Sequence, residues 1–303
     1  MSIWLMPTSG LISLALLGNA LLGFLVPWYV VGRLRGYLAM LGVLIAWGSS
    51  YSLTKIALAY MSPFVLTLFR FLVGALVLSI IGGGITSGWK PLMNALLNGA
   101  LFVVLLNLAI EYSVNPALVS VLIYTQPIFV LLLAIILYNE KPTVLQIVGV
   151  VVAFTGLLIT VGVYNFDIGD AMAILGGFVW AIGTYYYRRN LARENLVRLN
   201  AALSLYSAII ALPTLALNPY FQLSLMAFTW GIVVALIAQV VGFLLWFLGV
   251  RDLGPVVASS LSILVPVFAF LFAYLILGRV PTPMEALGSA ITLIGVLLSQ
   301  LRR

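Results

Sequence analysis

The chain has no cysteine and no histidine among its 303 residues, and only 7% of them are charged. Without Cys there is no disulfide, no thiol nucleophile and no thiolate metal site. Without His the usual proton shuttle and the commonest metal ligand are missing, so neither a metal nor a cofactor is expected. An enzyme working inside a membrane needs His, Cys, paired Asp, or a Ser with a base. The few acids here are peripheral, and no catalytic residue is expected. There is also no Gly-x-x-x-x-Gly-Lys-Ser/Thr phosphate loop, which argues against an ATP-driven pump within this chain and leaves a separate ATPase subunit open.

What is present is apolar: 64% of the residues are hydrophobic, whereas a soluble domain carries about 25% charged residues. Eleven apolar runs follow one another, at 10–31, 37–60, 64–84, 91–111, 117–137, 143–162, 168–187, 199–216, 222–248, 255–277 and 283–300. Each is near the length of about 20 residues that crosses the hydrocarbon core. Turn signals such as Gly82-Gly83-Gly84, Asn115-Pro116, Asn218-Pro219 and Gly254-Pro255 separate them. No gap leaves room for a soluble domain. The expectation is an all-α polytopic membrane protein whose partners are a lipid bilayer and a small organic solute, working as a monomer and without nucleic acid.

Short connections force neighbouring helices to alternate direction, and basic residues orient the set. With the start of the chain outside, Arg33, Arg35, Lys90, Lys141, Arg188, Arg189, Arg193, Arg198, Arg251, Arg302 and Arg303 fall inside, which is eleven of fourteen. The C-terminus is then cytoplasmic in a cell (plasma or inner) membrane. The first run lacks a basic leader and is a poor signal peptide. It is expected to span, with an interfacial segment as the alternative.

The two halves of the sequence repeat each other. A spacing of 139 residues relates Ser120 to Ser259, Pro127 to Pro266, Pro142 to Pro281 and Gly149 to Gly288. The units are 37–162 and 168–301, preceded by an N-terminal segment, 1–36, with an extra helix and an inner loop that holds Arg33 and Arg35. Each unit holds five helices. An odd number makes the second copy insert upside down, as in many secondary transporters.

The run Ala46-Trp47-Gly48-Ser49-Ser50, with Lys55, Ser62-Pro63 and Arg70, resembles the first helices of the drug/metabolite transporter superfamily, EamA branch. Pro127, Asn139-Glu140-Lys141-Pro142 and Gly149 do the same, and Gly254-Pro255, Pro266, Gly278-Arg279 and Gly288 repeat them. The resemblance implies a ten-helix core of two inverted five-helix repeats. It also implies a central cavity lined mainly by the first, third, fourth, sixth, eighth and ninth core helices. Relatives of this kind export amino acids, including aromatic ones, or carry other metabolites and sugar nucleotides. Two features depart from the pattern: the run at 10–31 lies outside it, and Arg279 stands where the family usually has Glu.

Substrate-binding candidates are Trp47, Tyr51, Tyr124, Gln126, Trp180, Tyr185, Gln239, Phe243, Trp246 and Ser259, a set that offers aromatic and polar surfaces to an amphipathic solute. Ordinary aromatic packing is the competing account of each. Pro127 and Pro266 should interrupt their helices and free a carbonyl. Lys55, Arg70 and Glu111 form either an outer-mouth polar network that orders the fold or a contact for an anion. Glu140 and Lys141 are expected as a surface pair. No helix centre carries a carboxylate for proton or sodium coupling, so facilitated diffusion or exchange is expected. The function expected is export of amino acids, aromatic ones first, or of similar small metabolites. Sugar phosphates or nucleotide sugars, an ion channel and a membrane scaffold are the alternatives.

Overall fold

The computed structural model describes residues 28–112, 119, 121–161 and 167–301. The 10–31 run therefore lies almost wholly outside the described residues. Those described form ten helices. The first five are α1 (Trp28–Ala57), α2 (Pro63–Gly82), α3 (Trp89–Ala95, Leu96–Ala100 and Leu101–Tyr112), α4 (Ile123–Thr125 and Gln126–Ile136) and α5 (Val144–Val161). The second five are α6 (Ile168–Asn190), α7 (Leu196–Ala211), α8 (Leu225–Val234, Ala235–Val241 and Gly242–Leu253), α9 (Pro255–Ser262 and Val265–Leu277) and α10 (Pro283–Gln300). Among the described residues, eight helices are long and apolar enough to cross a membrane; α4 and α5 hold shorter apolar stretches. Large apolar side chains such as Leu76, Ile80 and Leu225 are exposed, as lipid-facing positions should be.

The start of α1 corrects the sequence reading. Arg33 and Arg35 were expected in a loop, but α1 runs unbroken through them. Arginine is a good helix former. Here Arg35 reaches Asp252 at the end of α8, 2.7 Å away, so its charge is met without breaking the helix.

Contacts between helix ends set the direction of the helices. On one face, the start of α1 meets the end of α8 through Arg35 and Asp252. There the Arg198 side chain at the start of α7 also donates to the Gly82 carbonyl at the end of α2. On the opposite face, Ser62 donates to the Asn218 carbonyl, and Met61 bridges Phe221. Arg188, ending α6, donates to the Arg251 carbonyl on the first face. So α1 leaves that face and α6 arrives at it: the leading helices of the two halves run in opposite senses.

The 139-residue spacing holds for backbone irregularities as well as for residue types. The π-helical turns Leu96–Ala100 and Ala235–Val241 interrupt α3 and α8. The 3-10 turn Ile123–Thr125 and the break between Ser262 and Val265 interrupt α4 and α9. Asn139 and Gly278, both at positive φ (49° and 67°), follow those helices. Thr143 with Gln146 and Thr282 with Glu285 form matching capping boxes at the starts of α5 and α10. These two helices close the bundle at backbone distance, Gly149 and Gly156 facing Gly295 and Thr292.

Candidate functional site

A cavity of about 300 Å³ opens on the face that carries the α1–α2 and α7–α8 connections. Its walls follow from helical spacing. On α1, Trp47, Ser50, Tyr51 and Thr54 share one face, with Leu58 just past its end, and on α2 Pro63, Leu66, Thr67 and Arg70 do. Phe102, Leu106 and Asn107 come from α3, Tyr124 from α4, Trp180 from α6 and Phe243 from α8. Helix α2 is a wall that the family resemblance did not include, and no residue of α9 is among the lining. Here α9 lies deeper: its Ser259 packs beneath the cavity against α4.

Polar groups are placed with partners. The Tyr51 and Tyr124 hydroxyls are hydrogen-bonded to each other, with the Arg70 guanidinium nearby. Asn107 donates to Thr67 Oγ1 at 3.1 Å, and Thr67 in turn donates to the Pro63 carbonyl. Trp47 Nε1 donates to the Ala238 carbonyl at 3.0 Å, a carbonyl in the π-turn of α8. Among the described residues, Arg70 is the single charged one in the lining. A long cationic side chain in a largely aromatic and aliphatic pocket can pair with a carboxylate while the walls take up a ring.

The floor is aromatic. Trp180 lies 5.1 Å from Trp246, 5.8 Å from Trp47 and 6.0 Å from Tyr124, centroid to centroid. Trp47 also meets Phe243 edge-on. Beneath this layer Gln126 Nε2 donates to Thr184 Oγ1 and to Ser259 Oγ, tying α4, α6 and α9 together. Among the described residues, Gln126 Oε1 and the indole N–H groups of Trp180 and Trp246 are buried without a partner.

The ten predicted binding residues thus divide by depth. Trp47, Tyr51, Tyr124, Trp180 and Phe243 line the cavity. Gln126 and Ser259 form the buried tie below it, and Trp246 is fully buried under Trp180. Gln239 is buried and donates to Ser204 of α7, away from the lining. Tyr185 lines a second pocket on the opposite face. Of the expected outer-mouth network, Arg70 lines the cavity, Lys55 is exposed one turn beyond Tyr51, and the Glu111 side chain lies outside what is described. Pro127 and Pro266 occupy the first turns of helices that resume after a kink. The carbonyl that Pro127 displaces, that of Ile123, accepts from the Gln126 N–H and abuts Gly177, so it is not free for a solute. The expected Glu140–Lys141 pair is replaced by a bond from the Tyr185 hydroxyl to Glu140. Ser50, Thr54, Thr67 and Asn107 were missed. Ser50 and Thr54 fall at helical spacing from Trp47 and Tyr51, which was the available signal.

The model of the EamA-like transporter family matches residues 34–162 and again 167–301. An uncharacterized transporter of Archaeoglobus fulgidus is 26% identical over 289 residues, covering 88% of this chain and 97% of its own length. A protein of Salmonella typhimurium named as a probable amino-acid metabolite efflux pump is 23% identical, covering 89% and 95%. A solved crystal structure superposes with a TM-score of 0.75 at 18% identity, covering 89% of this chain and 96% of that one; that likeness concerns the fold alone.

Proposed function

Because the chain belongs to the EamA-like transporter family, we propose that it exports small amphipathic solutes with a carboxylate, amino acids with aromatic side chains first, by alternating access. The observation that carries this reading is the cavity with Arg70 as the one charged residue among its described lining and Trp47, Tyr124, Trp180 and Phe243 around it. The carboxylate pairs with the Arg70 guanidinium. The solute's ring packs among the indoles, and its ammonium group sits over an aromatic face. A volume of about 300 Å³ is at the small end of ligand pockets, which run from roughly 300 to 1,000 Å³, and suits a single amino acid better than a nucleotide sugar.

The barrier between the two faces is thin. Trp180 floors the cavity and Tyr185 lines the pocket on the other side. At 1.5 Å of rise per residue these positions on α6 are only about 7.5 Å apart along the axis. A modest rocking of one half against the other would move the seal from the Tyr138–Tyr185 stack to the cavity mouth. The basic face is the cytoplasmic side of the cell membrane by the charge rule. The described acids Glu140, Asp167, Asp170, Glu194, Asp252 and Glu285 lie at helix ends or in connections, which supports exchange or facilitated diffusion rather than coupling to a carboxylate in mid-membrane. The name of the Salmonella relative supports efflux of amino-acid metabolites.

The test is counterflow in liposomes loaded with a metabolite panel, with and without a pH gradient. Labelled phenylalanine, tyrosine or tryptophan should accumulate against the same unlabelled solute, and a pH gradient should change the rate little. Counterflow confined to sugar phosphates, nucleotide sugars or inorganic ions would overturn the assignment.

A further inference from the structure

The larger opening lies on the basic face and plays no part in the proposed solute contact. It is a pocket of about 710 Å³ lined by Tyr138, Glu140, Tyr185, Arg188, Arg189, Asn190, Ala192, Arg193 and Arg251. Four arginines converge on it from the ends of α6 and α8 and from the turn after α6. Membrane orientation requires basic residues on this side but not their convergence: Lys90, Lys141 and Arg198 share the face and stay out of the lining.

The local chemistry is organised. Tyr138 stacks on Tyr185 at 4.3 Å, and Arg189 lies over the Tyr138 ring at 4.8 Å. That stacking holds the guanidinium by its face and leaves its edge donors available. Arg188 spends one N–H on the Arg251 carbonyl and keeps the rest of its fork. Two acids oppose the cluster: Glu140 accepts from the Tyr185 hydroxyl, and Asp252 approaches Arg251 at 3.5 Å while serving mainly Arg35. The positive charge remains in excess. A carboxylate would engage one fork; a phosphate group presents enough oxygens for several forks at once.

We propose that this pocket is a binding site for a phosphate group, held chiefly by Arg189 and Arg193 with Arg188. A phospholipid headgroup of the adjoining leaflet and a soluble phosphate are the two sources of that chemistry. The three arginines lie at the end of α6 and in the turn after it, and Arg251 at the end of α8 adds its charge. Attachment of the phosphate is electrostatic and weakens as salt rises.

The experiment is thermal unfolding followed by tryptophan fluorescence, with the protein in phosphatidylcholine nanodiscs. Inorganic phosphate is titrated in one arm, and phosphatidylglycerol replaces part of the lipid in the other. One arm should raise the unfolding temperature, and the double variant Arg189→Gln/Arg193→Gln should weaken that response about tenfold or more. Arg193→Gln alone, at an exposed position, serves if the double variant does not fold. Arg198→Gln is the control: it removes a charge from the same face outside the pocket and should keep the response. A shift with soluble phosphate in the neutral bilayer identifies a free anion; a shift with phosphatidylglycerol alone identifies a lipid headgroup. No shift in either arm, or equal shifts in the parent and the pocket variants, overturns the proposal.

Discussion

Arg70 and Trp246 show how depth decides what a residue does. Arg70 lines the cavity beside the Tyr51–Tyr124 pair, whereas Trp246 is fully buried under Trp180. Arg70→Gln keeps a polar side chain of related length and removes the charge. It should weaken transport of a carboxylate solute about tenfold or more, the loss of one charged hydrogen bond, while the protein stays folded. Trp246→Ala should instead cost about 3–5 kcal/mol of stability, because it opens a hole that neighbouring aromatics cannot fill. Unfolding in detergent measured beside counterflow separates the two effects. The contrast also marks what the sequence could tell. Trp47 and Tyr51, four apart, are placed on one face by periodicity alone, and both line the cavity. Phe243 and Trp246 also share a face, but only Phe243 reaches the cavity. Periodicity gives direction around a helix and says nothing of how deep the opening extends along it.

At the scale of elements, the duplication was legible because its marks are chemically special residues: Pro127 and Pro266, Pro142 and Pro281, Gly149 and Gly288. The π-turns of α3 and α8 were not legible, since neither contains a proline and the extra residue in a turn has no compositional mark. The contribution of α2 was hidden for another reason. That helix is apolar nearly all round, so no face stands out until its neighbours are placed. The close contact of α5 with α10 follows from glycine. A Cβ on Gly156 would fall 2.5 Å from the backbone nitrogen of Thr292 and 2.7 Å from the Gly288 carbonyl. Backbone cannot step aside as a side chain can, so Gly156→Ala should destabilise by about 1–3 kcal/mol. Its effect on substrate selectivity should be nil, because the contact lies outside the cavity lining. Unfolding and a solute panel on the same preparation check both expectations.

At the scale of the molecule, two halves of opposite sense meet around one cavity that opens on the less basic face and is sealed toward the basic one. The seal consists of the Trp180–Trp246 layer, the Gln126–Thr184–Ser259 tie and the Tyr138–Tyr185 stack. With these groups between Arg70 and the basic face, we propose that a solute reaches Arg70 from the less basic side. The parent chain has no cysteine, so a single introduced thiol reports its own position. The direct test uses sealed, right-side-out vesicles, an impermeant thiol reagent added outside, and two variants, Ser50→Cys in the cavity wall and Asn195→Cys on the basic face. The account predicts that Ser50→Cys is labelled from outside, that a transported aromatic amino acid slows this labelling, and that Asn195→Cys reacts only after the vesicles are opened. Labelling of Asn195→Cys from outside, or of Ser50→Cys only from within, would contradict it.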